Sequence, residues 1–289
     1  MARRHEVLRA HPALRKSASL LKQAPRFARR LAPGSAPGWA LLANSVPKSG
    51  THLLTQVLEA FPGVRNYDSF IASVPPVRFR ERSRRTLLRR ISWIAPGELV
   101  SAHLHYAPEL AAALTRRRCA VFLLLRDPRD VAISEAHYLS HMNPWHRAHR
   151  YFAGLASDDE RIMASIRGIP EGATRYRFPD LAARFEPFLG WLDRDDACAV
   201  RFEELRGPAA GETIRRMLAF VARRTGDAAA GEAPVEEILA NVDPARSRTF
   251  RSGRVGGWRE RLTPEHVRAV RETAGPLLIR LGYESDDDW

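Results

Sequence analysis

The sequence predicts an α/β fold, a single domain with a central parallel sheet flanked by helices. Three observations carry that prediction. Short apolar runs of strand length alternate with segments in which apolar residues recur every three or four positions. The runs read as buried strands, as in a parallel sheet covered on both faces. The first of them, Trp39 to Val46, passes through a tight turn into a helix, a P-loop-like strand, turn and helix unit.

Taken in order, Pro33, Gly34, Pro37 and Gly38 interrupt the helical pattern of the amino-terminal arm. Residues 1–38 therefore read as a basic extension and 39–289 as the domain. After the first strand, Thr51 to Phe61 places Leu53, Leu54, Val57, Leu58 and Phe61 at helical spacing. Glu98 to Ala102 is a second strand, followed by a helix from Pro108 to Arg117 with proline in its first turn. The third strand, Cys119 to Leu125, ends at Arg126-Asp127-Pro128 and leads into a helix from Arg129 to about Met142. A helical region from Asp158 to Asp193, a strand from Ala197 to Phe202, an amphipathic helix from Gly211 to Arg224 and a terminal helix from Pro264 to Leu281 complete the chain.

Of the 289 residues, 45% are hydrophobic and 27% charged, which is the composition of a soluble globular protein and excludes fibrous and disordered classes. No apolar run approaches the roughly 18 to 20 residues of a membrane-spanning helix. Cys119 and Cys198 sit in apolar strands, and without a CxxC pair they build no zinc site. With no clear signal peptide, the expected location is cytoplasmic. The formal charge of +13 is local: residues 1–40 carry nine Lys and Arg against one acid, and residues 75–92 carry seven Arg against one. These segments leave peripheral membrane contact through the arm open, and no specific nucleic-acid binding is expected of the nearly neutral body.

Ligands of open parallel sheets bind beyond the carboxyl ends of the strands, and three turns there hold the informative residues. Pro47-Lys48-Ser49-Gly50-Thr51 joins a strand to a helix start, where free backbone N–H groups, a glycine and three donor side chains form an anion cradle. It is not the nucleotide loop G-x-x-x-x-G-K-[ST], because the lysine precedes the glycine. In Arg126-Asp-Pro-Arg-Asp-Val-Ala-Ile-Ser134, Arg126 and Ser134 are placed to grip a phosphate, while Asp127 caps the helix, Pro128 starts it and Arg129 is solvated. Arg251-Ser252-Gly253-Arg-Val-Gly-Gly-Trp258-Arg259 is a basic, glycine-rich loop.

In order and spacing these three motifs resemble the cofactor signatures of the cytosolic-type sulfotransferase family, over about residues 39 to 285. The resemblance implies the sulfotransferase fold and 3′-phosphoadenosine 5′-phosphosulfate (PAPS) as sulfuryl donor, with no metal. It implies that Lys48, Ser49, Gly50, Thr51 and His52 take the 5′-phosphosulfate, and that Arg126, Ser134, Arg251, Ser252 and Gly253 hold the 3′-phosphate. Phe202 stands where a tyrosine is common. Val100-Ser-Ala-His103 is similar to the strand end that delivers the family's histidine base, which makes His103, Lys48 and Ser134 the catalytic set. The implied reaction is in-line transfer of a sulfuryl group to a hydroxyl or amine of a small-molecule acceptor.

The chain departs from the family pattern in ways that imply a bacterial-type branch. His52 and Leu53 stand where an aromatic adenine partner is usual, Ser101 and Ser252 replace lysines, and Gly257 replaces a frequent aspartate. His137 and His141, four apart on one helix, imitate a metal pair, but no third ligand or H-E-x-x-H pattern accompanies them. Either His137 or Tyr138 is expected to line the acceptor pocket, whose walls are Phe70 to Arg90, Tyr138 to Tyr151 and the stretch before Arg251. A phosphotransferase or kinase on a related loop, a basic nucleic-acid-binding protein and a homodimer remain open on sequence alone.

Overall fold

The computed structural model describes residues 25–26, 37–75, 80–246, 253–286 and 288–289. Most of the basic extension, and Arg251 and Ser252, lie outside the described residues. Strands β1 (Ala40–Ser45), β2 (Arg65–Ala72), β3 (Glu98–His103), β4 (Cys119–Leu125) and β5 (Ala197–Arg201) form one all-parallel sheet in the order β2-β3-β1-β4-β5.

The uninterrupted apolar runs serve two cores because side chains alternate across a strand. On one face Leu42, Val100, Val121 and Leu123 meet α2 (Arg84–Ser92), α3 (Pro108–Arg116), α4 (Pro128–His137), α6 (Asp158–Arg167), α7 (Leu181–Leu189) and α12 (Pro264–Arg280). On the other, Leu41, Leu99, Phe122 and Leu124 meet α1 (Thr51–Glu59), α9 (Ala210–Thr225) and α10 (Val235–Ala240). Leu41 and Leu42 are both 0% exposed, and each contributes roughly 1.5–3 kcal/mol by burial. The short α5 (His149–Gly154), α8 (Phe202–Arg206) and α11 (Trp258–Arg261) shape loops.

Strand order fixes where a ligand can bind. From β1 the chain passes through α1 to the β2 edge, and from the adjacent β4 it passes to β5 at the opposite edge. Connections that diverge from neighbouring strands open a crevice at their carboxyl ends. The loops after β1 and β4 flank that crevice, and the end of β3 lies beside them.

Several expectations are corrected. β2 and α2 were not foreseen. β2 is an edge strand rich in polar residues, and its register shifts between Asn66 and Ser69, where Asp68 has φ 55° and its N–H donates to Asn66 Oδ1 at 2.8 Å. α2 lies within the arginine-rich stretch, where Leu87 and Ile91 bury one narrow face and the Ser83 side chain accepts from the Thr86 N–H. The helix expected to reach Met142 stays α-helical only to His137 and then widens into a π-turn over Tyr138–Met142. The region from Asp158 to Asp193 is two helices, because the chain between α6 and α7 leaves the helical path.

Arg129 is not solvated. It is 1% exposed, hydrogen-bonded through Nε and Nη2 to Asp127 and through Nη1 to Glu284, with its guanidinium 3.8 Å from the Trp258 ring centroid. Asp127 also accepts from the Arg129 N–H, and Pro128 occupies the first turn, as the sequence predicts.

Candidate active site

The β1–α1 turn is built around two left-handed residues, Lys48 at φ 70° and Gly50 at φ 104°. A Cβ on Gly50 would stand 2.6 Å from the Phe202 ring, so glycine is required there for space as well as for backbone conformation. Gly50 is the N-cap of α1, which has no acidic residue in its first turn. Its amino-terminal partial charge is therefore left for an anion. The Lys48 Nζ lies 3.9 Å from the centre of the Tyr138 ring.

His103 ends β3 next to this turn. Its Nδ1 lies 2.8 Å from the Ser45 carbonyl oxygen, which can only accept, so Nδ1 carries the proton and Nε2 is the basic nitrogen. Ser45 Oγ hydrogen-bonds Thr51 Oγ1 at 2.6 Å, and Thr55 Oγ1 bonds Ser101 Oγ at 3.0 Å, tying the turn and α1 to β3. Burial pushes the His103 pKa down to about 4, helped by the charges of Lys48 and His52. The imidazole is neutral at neutral pH.

Arg126 stands at the end of β4 over the Phe202 ring, 4.5 Å from its centre, and donates to the Arg254 carbonyl at 2.8 Å. Asp130, one turn into α4, accepts from the Gly256 and Trp258 N–H groups at 2.9 Å each and lies 3.6 Å from Arg126. One carboxylate thus clasps the glycine-rich loop against the arginine. Burial pushes the Asp130 pKa up, opposed by Arg126. Glu203 performs a similar joining task, accepting from the Asp127 N–H at 2.9 Å and the Tyr283 hydroxyl at 3.1 Å.

One cavity of about 750 Å³ receives these elements. Lys48, Gly50, Thr51, His52, His103, Arg126, Ser134, Phe202 and Gly253 all line it. Ser49 does not: it is 0% exposed, its N–H donates to the Val46 carbonyl at 3.2 Å, and its hydroxyl makes no hydrogen bond among the described residues. Tyr138 is on the wall, whereas His137 is off it and stacks on His141 at 4.9 Å. Among the described residues no group of three or more His, Cys, Asp and Glu is arranged to hold a metal ion, and no helix is long and apolar enough to cross a membrane.

A model of the sulfotransferase domain family matches residues 40–282. The chain belongs to the sulfotransferase family. No curated protein sequence matches this sulfotransferase. Its fold is similar to that of mouse sulfotransferase SULT7A1 complexed with PAP, with a TM-score of 0.58 and 16% identity over 90% of this chain and 91% of that one. Two structures of retinol dehydratase also match. One, in complex with androsterone and inactive cofactor PAP, has a TM-score of 0.47 and 13% identity over 88% and 85% of the two chains. The other, with retinol and PAP, has a TM-score of 0.48 and 14% identity over 88% and 86%.

Some residues that build the sulfotransferase cavity escaped the sequence reading. Asn44, buried in β1, pairs both ways with the Leu104 backbone at 2.9 and 2.8 Å and so fixes the chain just past His103. Gln56 pairs with the Asp243 backbone and positions the Val242 and Pro244 wall. Phe178, Phe185 and Phe188 form a further wall. A lone amide in an apolar strand was a readable signal for Asn44, since a buried amide needs partners. The phenylalanines gave none, because periodicity identifies them only as core.

Proposed function

We propose that this sulfotransferase transfers a sulfuryl group from PAPS to a hydroxyl, or an amine, of a small acceptor by in-line displacement, with His103 as general base. The observation that carries the reading is the convergence on one cavity of Lys48, His103, Arg126, Ser134 and Gly253, contributed by separate segments at the carboxyl edge of the sheet.

The residues present fit such a donor. The αL turn at Lys48 and Gly50 and the acid-free start of α1 offer backbone N–H groups and a cation to a phosphosulfate. Arg126, Ser134 and the loop from Gly253 offer a second anion site, to which the sequence resemblance adds Arg251 and Ser252. When bound, PAPS supplies an activated sulfuryl group on a phosphate leaving group.

His103 Nε2 takes the acceptor's hydroxyl proton as the new S–O bond forms, while its Nδ1–H stays on the Ser45 carbonyl and holds the ring in the basic tautomer. The electron pair of the broken S–O bond remains on the phosphate oxygen, where the Lys48 ammonium and the α1 amides offset the charge. Lys48 rests on the Tyr138 ring, on the wall of the same cavity.

The test is thermal unfolding with 3′-phosphoadenosine 5′-phosphate (PAP), without magnesium, together with transfer from radiolabelled PAPS to a panel of phenols and alcohols. Saturable stabilisation by PAP and labelled product are expected. Stabilisation only by ATP with magnesium would replace the reading with phosphoryl transfer.

A further inference from the structure

Helix α2 buries one narrow face, that of Leu87 and Ile91. Positions two apart on a helix face nearly opposite ways, so Arg85, Arg89 and Trp93 fall on the side turned from the core. Spaced four apart, they form one stripe along the helix, which Trp93 continues because its backbone stays in the αR region. Arg85 and Arg89 are exposed, and Trp93 is 44% exposed.

The helix carries four arginines and no acid. The acids on its flanks are engaged: Glu109 pairs with Arg84 at 2.9 Å, and Glu81 with His105 at 2.9 Å. Among the described residues Arg85, Arg89 and Arg90 make no side-chain ion pair or hydrogen bond. Like charges four apart repel, so the stripe weakens the helix by itself and adds nothing to the packing of Leu87 and Ile91. Its use lies outside the fold.

The basic arm reaches the same place. Arg26 donates through Nη2 to the Trp93 carbonyl and through Nε to the Glu98 carboxylate, both at 2.9 Å. The two basic segments, far apart in sequence, therefore meet at the carboxyl end of α2.

Charge alone suits any polyanion, and the indole in line with the arginines decides between them. An anionic bilayer offers phosphates to guanidinium groups and, just beneath, an apolar layer to an indole. The outer face of a nucleic-acid duplex offers phosphates alone. We infer that α2 docks this protein on an anionic membrane surface, with Arg85 and Arg89 on lipid phosphates and Trp93 in the headgroup layer. The docking is independent of the reaction proposed for the cavity.

The test is co-sedimentation of the full chain with vesicles of phosphatidylcholine, and of phosphatidylcholine mixed with phosphatidylserine, at low and high salt. Binding is expected to the mixed vesicles only, and it should fall as salt rises. Arg85→Gln combined with Arg89→Gln should weaken it about 10-fold or more, and Trp93→Ala about 5-fold or more. Arg85→Lys combined with Arg89→Lys should keep most of it, which separates lost charge from a disturbed helix. Absence of binding to the mixed vesicles, with or without binding to duplex DNA, overturns the inference. So does equal binding to both kinds of vesicle, or binding that survives either the paired glutamine substitutions or Trp93→Ala.

Discussion

At the scale of single residues, the proposed reaction asks most of His103, and its environment sets the pH response. Its pKa in the free protein is about 4, below the ordinary 6.5, because burial disfavours the imidazolium and Lys48 repels it. The base form is therefore present through the neutral range and is lost as pH falls through 4. The acid limb of kcat/KM is predicted near pH 4. In the complex, the donor's anions offset Lys48 and favour the imidazolium, so the acid limb of kcat should lie higher. A kcat limb at or below that of kcat/KM would contradict this. His103→Ala should lower turnover by about 10² to 10⁴ while keeping PAP affinity, and an equal loss of both would remove His103 from the mechanism.

At the scale of elements, two junctions hold the half of the cavity proposed to take the donor. Gly50 joins β1 to α1 at φ 104° against the Phe202 ring. Gly50→Ala should destabilise the fold by about 1–3 kcal/mol, read from denaturant midpoints, and weaken PAP binding as the turn shifts. Asp130 joins α4 to the loop at Gly256 and Trp258. Asp130→Asn replaces one accepting oxygen with a donor and halves the clasp. PAP affinity should fall about 10-fold, worth about 1.4 kcal/mol, with kcat at saturating donor changed far less. A fall in kcat with unchanged PAP affinity would show that the clasp serves the chemistry rather than donor binding. Arg129 serves the same junction from inside, and removing it strands the Asp127 and Glu284 carboxylates. Arg129→Ala is expected to cost about 3–5 kcal/mol of stability in urea unfolding.

At the scale of the whole molecule, the sheet is one continuous ladder of five strands with a core on each face, and the cavity draws on the carboxyl ends of β1, β3, β4 and β5 together. Unfolding of the domain should therefore be one cooperative transition that PAP moves as a unit, by about 2.7 kcal/mol at a concentration 100 times its Kd. A PAP-sensitive step separated from a PAP-insensitive one in calorimetry would show that the donor site folds on its own.

What the sequence determined by itself was the local code. Short, largely apolar runs marked β1, β3, β4 and β5, and helical spacing marked α1, α9 and α12. The turn at Lys48 to Thr51 and the arginine at the end of β4 were readable as anion-binding chemistry at strand ends, whereas the histidine at the end of β3 stood out only because its setting resembles the sulfotransferase pattern. Tertiary structure alone decided the rest. β2 is held by its neighbour and not by apolar content, and Arg129 is buried because Trp258 and Glu284 arrive from the far end of the chain. Ser49 turns out buried off the cavity wall, and Phe178, Phe185 and Phe188 line the cavity, because packing between distant elements selects which side of a residue meets solvent. Local propensity is encoded within a few residues, whereas a cavity wall is assembled from segments that meet only once the chain has closed on itself.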